Sequence, residues 1–235
     1  MLSQIISKEL KSHLVGLRFL LTLGLTLVTM IVSTIIFSGR YNHKWNEFRD
    51  IKNNSNAELS TLAQSLTDVA FYALPLQLKP TPLELITEGG IKNIPNTFNV
   101  TAFDVSEPVS ISEENGFMRR FKDVDWTFII AFILSFFAVL ATYDSVSGEK
   151  SAGTLRLVLS NAVSRNAVLV GKYLSAVINI AIPLVLGMTV SLLITALFGR
   201  IVLSAADIGK IVVYIISGLF NLSIFILLGL LITSL

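Results

Sequence analysis

The sequence has 235 residues, of which 53% are hydrophobic and only 14% are charged, and its mean hydropathy is +0.72. Soluble domains usually contain about 45–50% apolar and about 25% charged residues, so the composition argues against a soluble protein. The formal net charge of +2 is too small to indicate nucleic-acid binding, and the absence of cysteine excludes disulfides, thiol catalysis and Cys-ligated metals.

Residues 1–18 are predicted to form a cytoplasmic segment that lies along the membrane interface. Apolar residues recur there at near-helical spacing, with Lys8, Lys11 and His13 between them. The alternative is a solvated extension of the first membrane span.

Four apolar stretches predict transmembrane helices, because crossing a hydrocarbon core of about 30 Å takes roughly 20 mostly apolar residues. No Asp, Glu, Lys, Arg or His occurs in residues 19–37, 126–143, 173–198 or 211–235. The sequence therefore predicts an all-α integral membrane protein with four transmembrane helices.

The region between the first two spans, residues 38–125, is predicted to be a small mixed α/β external domain. Residues 41–74 carry an amphipathic helical pattern that can extend the first span outward. Prolines 75, 80 and 82 then end regular helix, and residues 98–105 alternate as a short strand does.

The distribution of basic residues predicts the orientation. Residues 1–18 hold three Lys/Arg and the loop of residues 144–172 holds four, whereas the external loop of residues 199–210 holds two. By the positive-inside rule the N-terminus is cytoplasmic in a multi-pass protein of the cell membrane. Basic residues just before the second span, at positions 119, 120 and 122, oppose this assignment.

The loop of residues 144–172 holds the most informative pattern. In it, Gly153 precedes a helical apolar stripe of Leu155, Val158 and Leu159. A charged loop of this kind at the membrane surface can present a short helix to a cytoplasmic partner.

At these residues the sequence resembles the membrane subunits of type-2 ATP-binding-cassette (ABC) transporters. The pattern is an acidic residue, Gly-Thr-Leu beginning four positions later, Leu-Ser, Ser-Arg, and Gly-Lys before the next span. It is matched by Glu149, Gly153, Thr154, Leu155, Leu159, Ser160, Ser164, Arg165, Gly171 and Lys172. A weaker similarity around Pro80 to Leu83 is to the subset of these permeases with a large external loop after the first span.

The resemblance implies that residues 144–172 form a coupling loop that docks on separate cytoplasmic ABC ATPase subunits, which hold ATP and Mg in place of this chain. The partner-binding residues would be Glu149, Gly153, Thr154, Leu155, Ser164 and Arg165. The resemblance also implies a second permease subunit, in a homodimer or heterodimer, surrounded by membrane lipids. Six spans are usual in such permeases, so the four here imply a truncated chain.

Simpler interpretations of the same loop residues remain open. Gly153 can serve only to end a helix, and Glu149 can be merely solvated. Arg165 and Lys172 can hold the loop at anionic headgroups.

The sequence indicates no enzymatic function, no catalytic residue and no metal site. Gly171-Lys172 is not a phosphate-binding loop, because Tyr173 follows it and Asn166 stands where that motif has its first Gly. The two histidines, His13 and His43, are far apart and have no second ligand at metal-binding spacing.

Three residues interrupt the plain apolarity of the spans and are candidates for a substrate pathway, namely Asn179, Pro183 and Asn221. Interhelical hydrogen bonding or packing is the alternative for each. The spans lack the intramembrane ionisable groups that are typical of ion-coupled carriers, so an external source of energy fits them better.

The sequence thus predicts the permease subunit of an ATP-driven ABC exporter. Two alternatives are a membrane-anchored sensor or assembly factor that acts through residues 38–125, and an ATP-independent carrier. The transported substrate is not indicated.

Overall fold

The computed structural model describes residues 2–87, 97–105, 124–151, 153, 164–198, 201 and 203–234. Contacts divide the chain into two units. The span unit comprises Met1–Ser33, Val124–Ile194 and Leu203–Leu235, and the loop unit comprises Thr34–Asp123 and Thr195–Val202.

The described residues are predominantly helical. The elements in chain order are α1 (Leu2–Leu14), α2 (Leu17–Leu62), α3 (Leu66–Phe71), β1 (Leu74–Gln77), a 3₁₀ turn (Pro82–Leu85), β2 (Thr97–Val100), α4 (Trp126–Phe128, the π-helical Ile129–Leu134, and Ser135–Thr142), α5 (Ser147–Ser151), α6 (Arg165–Phe198) and α7 (Ala205–Ser234). Four helical stretches in this part of the chain are long and apolar enough to cross a membrane, namely α2, α4 continued through α5 (Trp126–Ser151), α6 and α7. The prediction of an all-α, multi-pass membrane protein is confirmed.

On the first membrane helix, α2, small polar side chains are buried on one side and large apolar ones are exposed on the other. On α2, Thr22, Thr26 and Met30 follow one another at four-residue spacing and are almost fully buried. Leu21 and Val28, on the other side of the same helix, are 55% and 59% exposed. Lipid chains can cover apolar side chains as well as a protein core can, so small residues are placed where helices approach each other.

Glycine allows two close helix contacts in the span unit. A Cβ on Gly229 of α7 would overlap the Thr142 hydroxyl of α4, and a Cβ on Gly187 of α6 would lie 2.5 Å from the Met30 sulfur of α2. In addition, the Ser191 hydroxyl of α6 donates to the Met30 carbonyl at 3.4 Å. These contacts pair α4 with α7 and α2 with α6.

A π-helical segment lies inside α4. At its end, the Ser135 hydroxyl donates to the Ile130 carbonyl, five residues back, at 3.0 Å, and the Ser135 N–H is directed to the same carbonyl. Single-turn π segments of this kind often occur at functional sites.

In the loop unit, α2 continues past the apolar stretch into the polar region and ends at Leu62. The next helix, α3, begins where the Ser65 hydroxyl caps the N–H of Asp68. β1 and β2 pair antiparallel, with Leu74 opposite Val100. β2 is shorter than the predicted strand of residues 98–105, because residues 101–104 form a hydrogen-bonded turn.

Glu84 holds the 3₁₀ turn against α2. Its carboxylate is buried, accepts from the Lys44 ammonium at 2.7 Å and also accepts from the Thr81 N–H at 3.3 Å. The capping box between Thr81 and Glu84 therefore fixes both the start of the turn and its ion pair with α2.

Candidate functional site

The chain leaves α4 at one end of the span unit and immediately contacts the beginning of α2. The Arg18 guanidinium lies 3.8 Å from the Asp144 carboxylate and 5.1 Å from the centre of the Tyr143 ring. Arg18 also donates to the Tyr143 hydroxyl at 3.4 Å. These partly exposed contacts link the start of the loop of residues 144–172 to the first membrane helix.

The same loop is hydrogen-bonded to the end of α7. The Val146 and Ser147 N–H groups donate to the Thr233 hydroxyl oxygen at 3.3 and 3.0 Å. In turn, the Thr233 hydroxyl donates to the Ser147 hydroxyl oxygen at 3.1 Å. Thr233 therefore satisfies backbone donors at the start of α5 that the short helix cannot satisfy itself.

A buried ion-pair cluster, hereafter the Lys172 cluster, connects the loop to α1 and α6. The Lys172 ammonium lies 3.2 Å from the Glu9 carboxylate of α1 and 3.1 Å from the Glu149 carboxylate of α5, and its side chain is only 3% exposed. Beside it, Gly171 packs so tightly on Ile5 that a Cβ would lie 2.8 Å from Ile5 Cγ2. A lysine this deeply buried needs such carboxylate partners.

His13 lies next to the cluster on α1, 3.9 Å from Glu9. Burial lowers the pKa of His13 below its usual value. Glu9 opposes this shift, whereas the positive charges of Lys172 and Arg18 add to it. Protonating His13 therefore works against the packing of α1.

The predicted partner-binding residues have different surroundings. Glu149 is held in the Lys172 cluster and is therefore not merely solvated. Gly153 is exposed, has a left-handed φ of +72° and donates its N–H to Lys150 O at the end of α5, so it does end a helix there. Thr154 and Leu155 lie outside the described residues.

Ser164 and Arg165 stand at the beginning of α6, and both are exposed. The Ser164 hydroxyl accepts from the Ala167 N–H at 3.3 Å, as expected of an N-cap residue. Ser164 and Arg165 are thus accessible to a partner, and Ser164 also stabilises the helix.

The three pathway candidates do not share one surface. Asn179 and Pro183 are buried one turn apart on α6, whereas Asn221 is exposed on α7. Among the described residues, Asn179 Oδ1 has no hydrogen-bond partner. Because Pro183 has no N–H, it also cannot donate to the Asn179 carbonyl. Asn221 Oδ1 lies 3.5 Å from the Ser135 hydroxyl at the end of the π segment.

Several contact residues of this site were not predicted from the sequence. Glu9 could have been noticed, because it is the one acidic residue within the basic residues 1–18. Thr233 and Tyr143 carry no such signal, because they lie within or beside apolar spans. Among the described residues, no group of three or more His, Asp and Glu side chains could hold a metal ion.

Comparison with known proteins identifies the family. The family model for "ABC-2 family transporter protein" matches residues 3–235. The probable ABC transporter permease protein NosY of Stutzerimonas stutzeri is 28% identical over 109 residues, which cover 40% of this chain and 40% of that relative. No solved structure matches the chain. The chain therefore belongs to the ABC-2 family of transporter proteins and is a membrane permease component of an ABC transporter.

Proposed function

We propose that this permease is driven by separate cytoplasmic ABC ATPase subunits that dock on residues 144–172, and that it moves its substrate outward. The observation that carries the proposal is the contact pattern of the residues that follow α4. Within the span unit these residues contact α2 through Arg18, α7 through Thr233, and both α1 and α6 through the Lys172 cluster. A force applied to this segment therefore reaches every other long helix of the unit.

The docking surface would consist of the exposed residues on either side of the Lys172 cluster. Ser151 and Gly153 are exposed on one side, and Ser164 and Arg165 on the other. Glu149 then has a positioning role, because its carboxylate is engaged by Lys172 inside the cluster. Arg165 is the cation in this set that an acidic patch on an ATPase could recognise.

ATP and Mg belong on the partner in this proposal. Gly171-Lys172 cannot cradle a phosphate, because Gly171 packs on Ile5 and the Lys172 ammonium pairs with two carboxylates. Gly209-Lys210, the pair before the last span, has Ser204 where a phosphate-binding loop has its first Gly, and Ile211 follows it. The remaining described residues offer no substitute for such a loop. Energy must then arrive through contact with another subunit.

A second permease subunit would cover the exposed face of α7 around Asn221. An amide in the middle of a span is costly to leave against lipid, and such groups usually face another helix. Asn221 is exposed, and its neighbour Phe220 is 73% exposed. Asn221 Oδ1 already accepts from the Ser135 hydroxyl at 3.5 Å, so an interface between two permease subunits at this face would satisfy the remaining Nδ2 donors.

Co-purification with an ABC ATPase expressed from a neighbouring gene tests the docking. We expect Arg165→Glu, and deletion of residues 147–160, to remove the ATPase from the purified complex. Lys52→Glu is the matched control, because Lys52 is an exposed cation of the loop unit. An ATPase retained equally by all three variants would contradict docking at residues 144–172. Uptake of substrate into inverted vesicles only when ATP is present would support outward transport.

A further inference from the structure

A cavity of about 740 Å³ lies entirely within the loop unit. One wall is a single face of α2, formed at helical spacing by Tyr41, Asn42, Trp45, Asn46 and Arg49. This face covers about 12 Å of helix, since each of the eight steps from Tyr41 to Arg49 rises about 1.5 Å. The opposite wall comprises Lys79, Pro80, Pro82 and Phe198.

The charges in the lining are all positive. The Lys79 ammonium lies 5.4 Å from the centre of the Trp45 ring, and Arg49 follows Trp45 by one helical turn on the same wall. Among the described residues, Arg49 and Lys79 form no ion pair, and no carboxylate lines the cavity. The nearby Glu84 carboxylate is paired with Lys44. The lining therefore favours an anion between the two cations.

The rest of the lining is aromatic and apolar. The Tyr41 and Trp45 rings are stacked with their centres 6.3 Å apart. Phe198, the last residue of α6, is 70% exposed. A ligand that fills this cavity should carry an apolar part next to its negative charge.

The position of the cavity along its helices is that of the membrane–water boundary. Tyr41 follows the charge-free residues 19–37 by four positions, and Phe198 ends the charge-free residues 173–198. Tyr and Trp side chains of membrane proteins concentrate at this depth, with their apolar bodies toward the acyl chains and their polar atoms toward the headgroups.

We propose that this cavity binds the phosphate of an anionic amphiphile, with the phosphate between Arg49 and Lys79 and the apolar part against Tyr41 and Phe198. A phosphodiester offers oxygen acceptors to both cations, and arginine is well suited to bind them in a bidentate manner. Asn46 adds an amide donor to the same wall, whereas the Asn42 amide already donates to the Phe198 carbonyl at 3.4 Å. This site is separate from residues 144–172, so it does not depend on the docking of an ATPase.

Trp45 provides a direct reporter, because the chain contains only two tryptophans. The other, Trp126, belongs to the span unit and is fully buried. In a Trp126→Phe background, the full chain is placed in phosphatidylcholine nanodiscs that contain a minor fraction of either brominated phosphatidylglycerol or brominated phosphatidylcholine. Bromine quenches tryptophan only at short range, so selective quenching by the anionic lipid measures occupancy of the cavity.

We expect stronger quenching by brominated phosphatidylglycerol than by brominated phosphatidylcholine. Arg49→Gln and Lys79→Gln should each lower the apparent affinity for the anionic lipid about five-fold. Lys52→Gln is the control for general attraction to an anionic surface, because Lys52 lies about one turn beyond Arg49 on α2 and outside the lining. It should leave the quenching unchanged.

A second arm distinguishes a lipid from a soluble phosphate. Glycerol 3-phosphate is added to the protein in pure phosphatidylcholine nanodiscs, and Trp45 emission is recorded. A response that requires Arg49 and Lys79 would support the phosphate site and assign it to a soluble ligand. Equal quenching by both brominated lipids, together with no response to glycerol 3-phosphate, would overturn the proposal. Equal losses of apparent affinity for the anionic lipid in Lys52→Gln and Arg49→Gln would also overturn the proposal.

Discussion

Replacing Lys172 with methionine removes the positive charge of the Lys172 cluster while keeping a side chain of similar length. The carboxylates of Glu9 and Glu149 then share a buried site without a cation, and their side chains are only 14% and 21% exposed. At an effective dielectric constant of about 20, each lost pair corresponds to about 5 kcal/mol of attraction. Desolvation of the three charges offsets much of this. Removal of one partner from a buried ion pair costs about 3–5 kcal/mol in practice.

For a chain of this size, about 3–5 kcal/mol corresponds to a fall of about 6–20 °C in melting temperature. The assay is thermal unfolding of the purified protein in detergent, followed by tryptophan fluorescence. Lys150→Met is the matched control, because Lys150 is exposed next to Glu149. It should change the melting temperature little.

A compensating variant separates loss of charge balance from loss of packing. Combining Lys172→Met with Glu9→Gln and Glu149→Gln removes all three charges together, and most of the stability should return. If Lys172→Met and Lys150→Met had the same melting temperature, the Lys172 cluster would not hold α1 and α5 on α6. That result would refute this prediction.

Three further predictions concern the helix packing, the orientation and the effect of pH. Gly229→Val should destabilise the protein by about 1–3 kcal/mol in the same melting assay, because its Cβ would overlap Thr142. Gly24→Ala should be tolerated, because a Cβ on Gly24 meets nothing within 4 Å. Equal melting temperatures of the two variants would contradict close packing of α4 on α7. In intact cells, Ser151→Cys should be protected from a membrane-impermeant maleimide and Ser60→Cys should be labelled; the reverse pattern would overturn the predicted orientation. The pKa of His13 is lowered in the folded protein, so the unfolded chain binds a proton at this residue more readily, and the melting temperature should fall as the pH drops below about 6.5. His13→Gln should weaken this pH dependence. A pH dependence unchanged in His13→Gln would exclude His13 as its source.

The membrane helices could be predicted from the sequence because a charge-free stretch of sufficient length is a local property. The lengths of the helices could be predicted less well from the sequence. α2 runs to Leu62, well beyond residue 37, since hydropathy indicates where a helix enters lipid and not where its backbone hydrogen bonds end. The π segment of α4 was also not predicted, because it depends on the Ser135 hydroxyl reaching the Ile130 carbonyl within a packed bundle.

The candidate site was predicted as a loop but not as a set of contacts. The resemblance indicated residues 144–172, and the exposure of Ser164 and Arg165 is compatible with a partner surface. The Lys172 cluster could not be derived, because Lys172 and Glu9 are 163 positions apart and no local pattern predicts their pairing. Glu149 was predicted to contact a partner, and the structure adds that its carboxylate pairs with Lys172 within the chain.

Cysteine cross-linking tests most directly whether an ATPase docks on residues 144–172. The chain has no cysteine of its own, so a single introduced thiol is unambiguous. With a co-expressed ABC ATPase in native membranes, Ser151→Cys and Ser164→Cys should cross-link to the ATPase, with a yield that changes when ATP is added. Ser60→Cys, in the loop unit, should give no such product. Cross-linking from Ser60→Cys, with none from the other two positions, would contradict the proposed coupling.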